Sequence, residues 1–150
     1  MFIVSRCLIG INCKYDGGNN VKPDVVRFCE EHSCVSVCPE AQGGLKSPRE
    51  PAEQVDGRVI DKSGKDVTEF FQRGAEEALR LAMDTAERKG EVIEGAILKA
   101  YSPSCGCGYI YDGTFTGRRV SGNGIFTKML KDMGIPVATE NNFKEVFVRK

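Results

Sequence analysis

Four short apolar runs stand apart along the chain: MFIVS (Met1 to Ser5), CVSV (Cys34 to Val37), GAILK (Gly95 to Lys99) and Ile135 to Thr139. Runs this short suit strands better than buried helices, and their near-continuous apolar character predicts cover on both faces. The intervals between them carry helical periodicity. Pro23 and Asp24 open a helix with Val25, Phe28 and Cys29 on one side, which makes Cys29 a core residue. Asp66 or Thr68 caps a long helix reaching about Lys89, with Phe71, Ala75, Ala78 and Ala82 on one face and Gly90 as its stop. A third helix runs from about Ile125 to Met133. Strands alternating with helices predict an α/β fold, a single domain over residues 1–150 built on a mostly parallel, Rossmann-like sheet with helices on both faces.

The other segments connect these elements. Ala41 to Glu53 (AQGGLKSPREPAE) has glycines, prolines and no period, the mark of an ordered surface loop. Gln54 to Asp66 reads as a hairpin turning at Asp56-Gly57 or Ser63-Gly64. Asn141 to Lys150 fits strand and helix equally. Twenty-one basic residues offset twenty-one acidic ones with no long block of either sign, so nothing favours a nucleic-acid or anionic-membrane surface, and a small ligand is expected. No apolar run approaches the roughly 20 residues that span a bilayer, and Arg6 interrupts the first one, so a cytoplasmic protein is expected. Seven cysteines in reducing surroundings do not make a disulfide framework. Their remaining uses are metal, cluster or nucleophile.

Ligands of parallel sheets bind beyond the carboxyl ends of the strands. Cys7, Cys38 and Cys105 each fall just past a predicted strand, whereas Cys29 belongs to a helix and Cys34 to the opposite end of its strand. Cys105 lies in the loop Leu98 to Gly117 (LKAYSPSCGCGYIYDGTFTG), where Pro103 and the glycines fix a thiol and the Ser102 and Ser104 hydroxyls in place. Three converging thiolates are a soft set suited to zinc, cuprous copper or an iron-sulfur cluster. Zinc is disfavoured by spacing, because Cys105 and Cys107 are separated by a single residue. Clusters normally take four cysteines, so three leave one iron open as a Lewis acid, unless Cys13 or Cys107 fills the fourth place. Glu40, two residues after Cys38, is placed to take a proton from water, or to serve as a cap. Val120 to Phe126 (VSGNGIF) resembles an anion nest before a helix, and Lys46, Arg49 and Lys99 are candidates to anchor a polar heterocycle. Tyr109, Tyr111 and Phe115 fit core packing or stacking on a planar ligand, and His32 reads as a surface residue.

Together SRCLIGINCKYDG, CPEAQGGLKSPREPAE and LKAYSPSCGCGYIYDGTFTG, in this order, resemble the thiouracil desulfidase family, long catalogued as a bacterial and archaeal domain of unknown function. The resemblance implies a 4Fe-4S cluster held by Cys7, Cys38 and Cys105 with the fourth iron free. It implies an enzyme: the thiocarbonyl sulfur of a thiolated pyrimidine binds that iron and water attacks the ring carbon. Glu40 matches the acid-base carboxylate and Ser102 the assisting hydroxyl. Thiouracil would become uracil and sulfide with no net redox change. Arg6 stands where the family is expected to carry a small residue, and the extra carboxyl-terminal domain that larger relatives use on thiolated RNA is missing, so a free base or nucleoside is expected rather than nucleic acid. The competing expectation is a non-catalytic metal (zinc) or sulfur carrier using the same three thiols.

Overall fold

The computed structural model describes residues 1–148. Four parallel strands, β1 (Phe2–Ser5), β2 (Cys34–Val37), β5 (Gly95–Leu98) and β8 (Val137–Thr139), form a sheet in the order β2-β1-β5-β8. Phe2 pairs with Cys34 on one side and Gly95 on the other, so all the carboxyl ends point one way. The chain leaves β1 towards β2 and later returns to the other flank of β1 with β5. The strand order therefore reverses between β1 and β5, which opens a crevice at their carboxyl ends.

Alternation along the strands divides the core as a doubly covered sheet requires. Phe2, Val4, Ile97 and Ala138 face α1 (Pro23–Glu31), whose Val25 and Phe28 pack on them together with Phe143. Ile3, Val35, Val37 and Leu98 face the opposite way, onto α3 (Thr68–Arg88) and α4 (Ile125–Asp132). Ala75, Ala78, Ala82 and Ala86 make the buried stripe of α3, and their small side chains let that helix lie close to the sheet.

The four strands of the parallel sheet and the long helices fall where the sequence places them, within two residues. The hairpin β3 (Ala52–Val55) and β4 (Arg58–Asp61) turns at Asp56-Gly57, both with φ above zero, as a two-residue turn demands. At the start of α3 neither predicted residue is the N-cap, which is Val67. Asp66 Oδ1 still accepts the Thr68 N–H at 2.9 Å, while Thr68 Oγ1 accepts the N–H of Val59 and ties the helix to the hairpin. Besides a 3-10 turn at Arg6–Ile9, the fold adds a helical turn and a hairpin to the sequence reading. A single helical turn, α2 (Pro39–Gln42), follows Cys38, and a second hairpin, β6 (Tyr109–Tyr111) with β7 (Arg119–Ser121), lies inside the glycine-rich segment. Of Asn141 to Lys150, residues Lys144–Val148 form a π-helical turn, and the last two lie outside the described residues.

Candidate active site

Each of three strands delivers a thiol to the crevice. β1 runs into a 3-10 turn, Arg6–Ile9, that carries Cys7; Cys38 is the N-cap of α2; and β5 leads into the loop that carries Cys105. All three line one cavity of about 490 Å³. Cys13 lines it too, whereas Cys107 does not: its Sγ contacts the carbonyl of Val137 at 3.7 Å. Cys29 and Cys34 stay with the α1 core as free thiols. His32 is exposed and stacks on Phe28.

Close packing fixes two of these thiols. Gly74 of α3 meets α2 backbone to backbone, and a Cβ there would fall inside the van der Waals envelope of the Pro39 carbonyl. That contact explains a glycine inside a long helix and sets the height of Cys38-Pro39-Glu40 above the sheet. The Cys105 loop is held by the first turn of α4. The amides of Gly124, Ile125 and Phe126 donate to the carbonyls of Gly106, Pro103 and Ser104, and Thr127 Oγ1 donates to the Cys105 carbonyl at 2.7 Å. The glycine-flanked helix start is thus not an anion nest. Its donors are spent on the loop.

Glu40 lies in the same cavity between two partners. Arg49 donates from Nη2 to Oε1 at 2.8 Å and from Nε at 3.3 Å, and Ser104 Oγ donates to Oε2 at 2.8 Å. Arg49 Nη2 also reaches the Cys13 carbonyl at 3.0 Å, which links the carboxylate to the loop after Cys7. Ser102 Oγ accepts the amide of Cys105 at 2.8 Å and lies 3.3 Å from Ser104 Oγ. The resemblance singles out Ser102 as the assisting hydroxyl; the fold puts Ser104, 3 % exposed, directly on the carboxylate, with Ser102 one hydroxyl behind it. Lys99 borders the cavity but is held by Glu140 at 3.0 Å, and Tyr111 and Phe115 form part of the wall, while Lys46 and Tyr109 are not among its lining.

The thiols differ in character. Cys38 is lowered to about 7, chiefly by a hydrogen bond from the Cys13 thiol, with the Ala41 amide adding to it against the cost of burial. Cys7 is also lowered, by the Cys13 thiol first and by Asn20, whose amide lies 3.6 Å from Sγ. Cys105 is pushed up to about 12 by burial, partly offset by hydrogen bonds from Ser104 and Ser5. A buried, all-sulfur donor set matches the ligation of iron-sulfur clusters.

The family description 2-thiouracil desulfurase matches residues 2–142. The chain belongs to the 2-thiouracil desulfurase family. Among curated relatives, the uncharacterized protein YbbK of Bacillus subtilis (strain 168) is 36% identical over 156 residues, covering 97% of this chain and 99% of YbbK. Among solved structures, the 4Fe-4S-dependent thiouracil desulfidase TudS is similar with a TM-score of 0.82 and 41% identity, over 96% of this chain and 93% of that one. Family membership agrees with the resemblance carried by the three sequence motifs, and the TudS likeness agrees with the predicted sheet. No helix among the described residues is long and apolar enough to cross a membrane.

Proposed function

We propose that this protein removes sulfur from thiolated pyrimidines, converting thiouracil to uracil and sulfide, with a 4Fe-4S cluster held by Cys7, Cys38 and Cys105. The observation that carries this reading is the convergence of three buried strand-end thiols and Glu40 on one cavity, in a chain of the 2-thiouracil desulfurase family. The likeness to a 4Fe-4S-dependent thiouracil desulfidase supports the same cofactor and substrate class.

When bound, the cluster supplies a thiophilic, Lewis-acidic iron for the thiocarbonyl sulfur. The chain does the rest. Glu40 takes the proton of the water that attacks the ring carbon, and general base catalysis of this kind contributes about 10²–10⁴ in rate. Arg49 holds Oε1 and Ser104 holds Oε2, so the carboxylate is aimed before substrate arrives. Ser102 accepts the Cys105 amide, and its own proton is free for Ser104 or for the departing sulfur. Val37 and Pro39 supply apolar wall that limits water in the cavity.

On this reading residues 1–150 form one desulfidase-like domain, working in the cytoplasm on a free base or nucleoside rather than on nucleic acid. The test is anaerobic reconstitution with iron and sulfide, then addition of 2-thiouracil and 4-thiouracil with sulfide release followed. Release by the reconstituted protein and none by the iron-free protein is expected. Binding of zinc in place of iron, with no release, would replace the enzyme with a metal or sulfur carrier.

A further inference from the structure

Glu40 and Glu53 both line the cavity, and they are used differently. Glu40 has both oxygens engaged, Oε1 by Arg49 and Oε2 by Ser104. Glu53, on β3 and 8 % exposed, has one: its Oε1 accepts the amides of Gly113 at 2.9 Å and Phe115 at 3.1 Å. These two bonds hold the loop after β6 against the first hairpin. A Cβ on Gly113 would collide with Val55 and crowd the Gln54 carbonyl, so the loop lies close enough for one oxygen to serve two amides. Phe115, part of the cavity wall, is kept at a φ of 58°, where residues other than glycine are strained. Among the described residues no donor reaches Glu53 Oε2. No fully enclosed side-chain oxygen lacks a partner there, so Oε2 meets open space, and the open space that Glu53 borders is the cavity. A loop clamp needs only one neutral oxygen, and burying a charge for that alone is costly. A carboxylate offers about four acceptor sites, and the second oxygen stands ready for a donor that arrives with the substrate.

We infer that Glu53 Oε2 accepts the N3 hydrogen of the thiolated pyrimidine and so selects for rings of the uracil type. The inference rests on the desulfidase reading and deepens it, by naming the group that recognises the ring. N3–H lies between ring carbons 2 and 4, so one acceptor serves a thiocarbonyl at either position. It is also the ring N–H that a free base and a nucleoside share, because the sugar of a nucleoside occupies N1. A cytosine-type ring carries no hydrogen at N3 and would present a lone pair to the carboxylate, a repulsive contact that excludes it. One side chain thus fixes the Phe115 wall with its first oxygen and recognises the ring with its second.

The test is steady-state kinetics of the anaerobically reconstituted full chain with 2-thiouracil and its 1-methyl and 3-methyl derivatives. The wild type should turn over 1-methyl-2-thiouracil like the parent compound. On the 3-methyl derivative it should lose about tenfold to a hundredfold in kcat/KM, the usual effect of losing a hydrogen bond to a charged group. In Glu53→Gln the amide oxygen can still hold both loop amides while an NH2 replaces Oε2. That variant should keep its iron, lose a similar factor on 2-thiouracil, chiefly through KM, and show little further loss on the 3-methyl derivative. If Glu53→Gln loses its fold, Glu53→Asp, which withdraws the carboxylate by one methylene, carries the comparison and should narrow the same gap. Equal turnover of the two methyl derivatives by the wild type, or a gap as wide in the variant as in the wild type, overturns the inference and leaves the desulfidase reading standing. A wild type that releases sulfide from none of the three compounds overturns both.

Discussion

Ser104 donates its hydroxyl to Glu40 Oε2 at 2.8 Å, across 64 positions of sequence. Ser102 sits one hydroxyl further away, 3.3 Å from Ser104 Oγ, and spends its oxygen on the amide of the Cys105 loop. The two serines therefore have different effects when removed. A hydrogen bond to a charged group contributes about 1.5–3 kcal/mol, so Ser104→Ala should lower kcat about tenfold to a hundredfold through a misaimed carboxylate, with iron content unchanged. Ser102→Ala should instead loosen the turn before Cys105 and lower iron retention as well as rate. Iron assays beside steady-state kinetics separate the two; identical profiles would contradict the assignment.

In the Glu40→Gln variant the amide oxygen can still accept from Arg49, while the NH2 that replaces Oε2 can only donate to the Ser104 hydroxyl oxygen, so the side-chain shape is kept and the base is lost. The variant should reconstitute to the wild-type iron content and lose about 10²–10⁴ in kcat, the usual contribution of a general base. Full activity in Glu40→Gln would remove the carboxylate from the mechanism.

Gly74 and Gly124 each admit a neighbouring backbone where a side chain would collide, the first with Pro39 and the second with Ser104 and Cys105. Gly74→Ala and Gly124→Ala should both destabilise the fold by about 1–3 kcal/mol, the usual cost of overpacking. For a chain of this length that is roughly 2–4 °C in Tm per kcal/mol. Each should also displace a cluster thiol and lower iron occupancy. Alanine at Gly134, where the added atom meets nothing, should cost only the strain of its φ of 78° and leave iron content unchanged. Equal iron loss in all three would mean that close packing does not position the thiols.

The iron-free protein should show graded thiol reactivity, since the thiolate is the nucleophile. Cys38, lowered to about 7, should label with iodoacetamide along a titration near neutral pH, whereas Cys105, pushed up to about 12, should resist until strongly alkaline conditions. The signs for stability follow from linkage. The Cys38 thiolate stabilises the iron-free fold above the ordinary thiol pKa of about 8.5, and this contribution is lost as pH falls through about 7. Cys105 acts oppositely, destabilising the fold as pH rises from about 8.5 towards about 12. Peptide mass spectrometry across pH checks the order, and a Cys38 midpoint at an ordinary thiol value would contradict it.

Much of the fold was legible because Cys34–Val37 and Gly95–Leu98 are apolar runs with clear ends, and because the alanine stripe of α3 repeats with helical period. Cys7, Cys38 and Cys105 could be singled out since each follows such a run. The hairpin of Tyr109–Tyr111 with Arg119–Ser121 escaped notice because glycines and tyrosines hide the alternation, and α2 because one helical turn has no period. The grip of Arg49 on Glu40 joins residues nine apart in a loop without a repeat, so no local pattern signals it. The nest expected before Phe126 failed for a tertiary reason: the amides were free in sequence and bound to the Cys105 loop in the fold. Cys13 stood among the candidates for the fourth thiol, but only the fold separates it from Cys107.

The most direct test of hydrolytic, non-redox desulfuration is turnover of 2-thiouracil by the anaerobically reconstituted protein in oxygen-18 water, with no reductant or oxidant supplied. The account predicts multiple turnovers, one sulfide per uracil, and one heavy oxygen in each uracil at the former thiocarbonyl carbon. A strict need for added electrons, or uracil without the label, would contradict it.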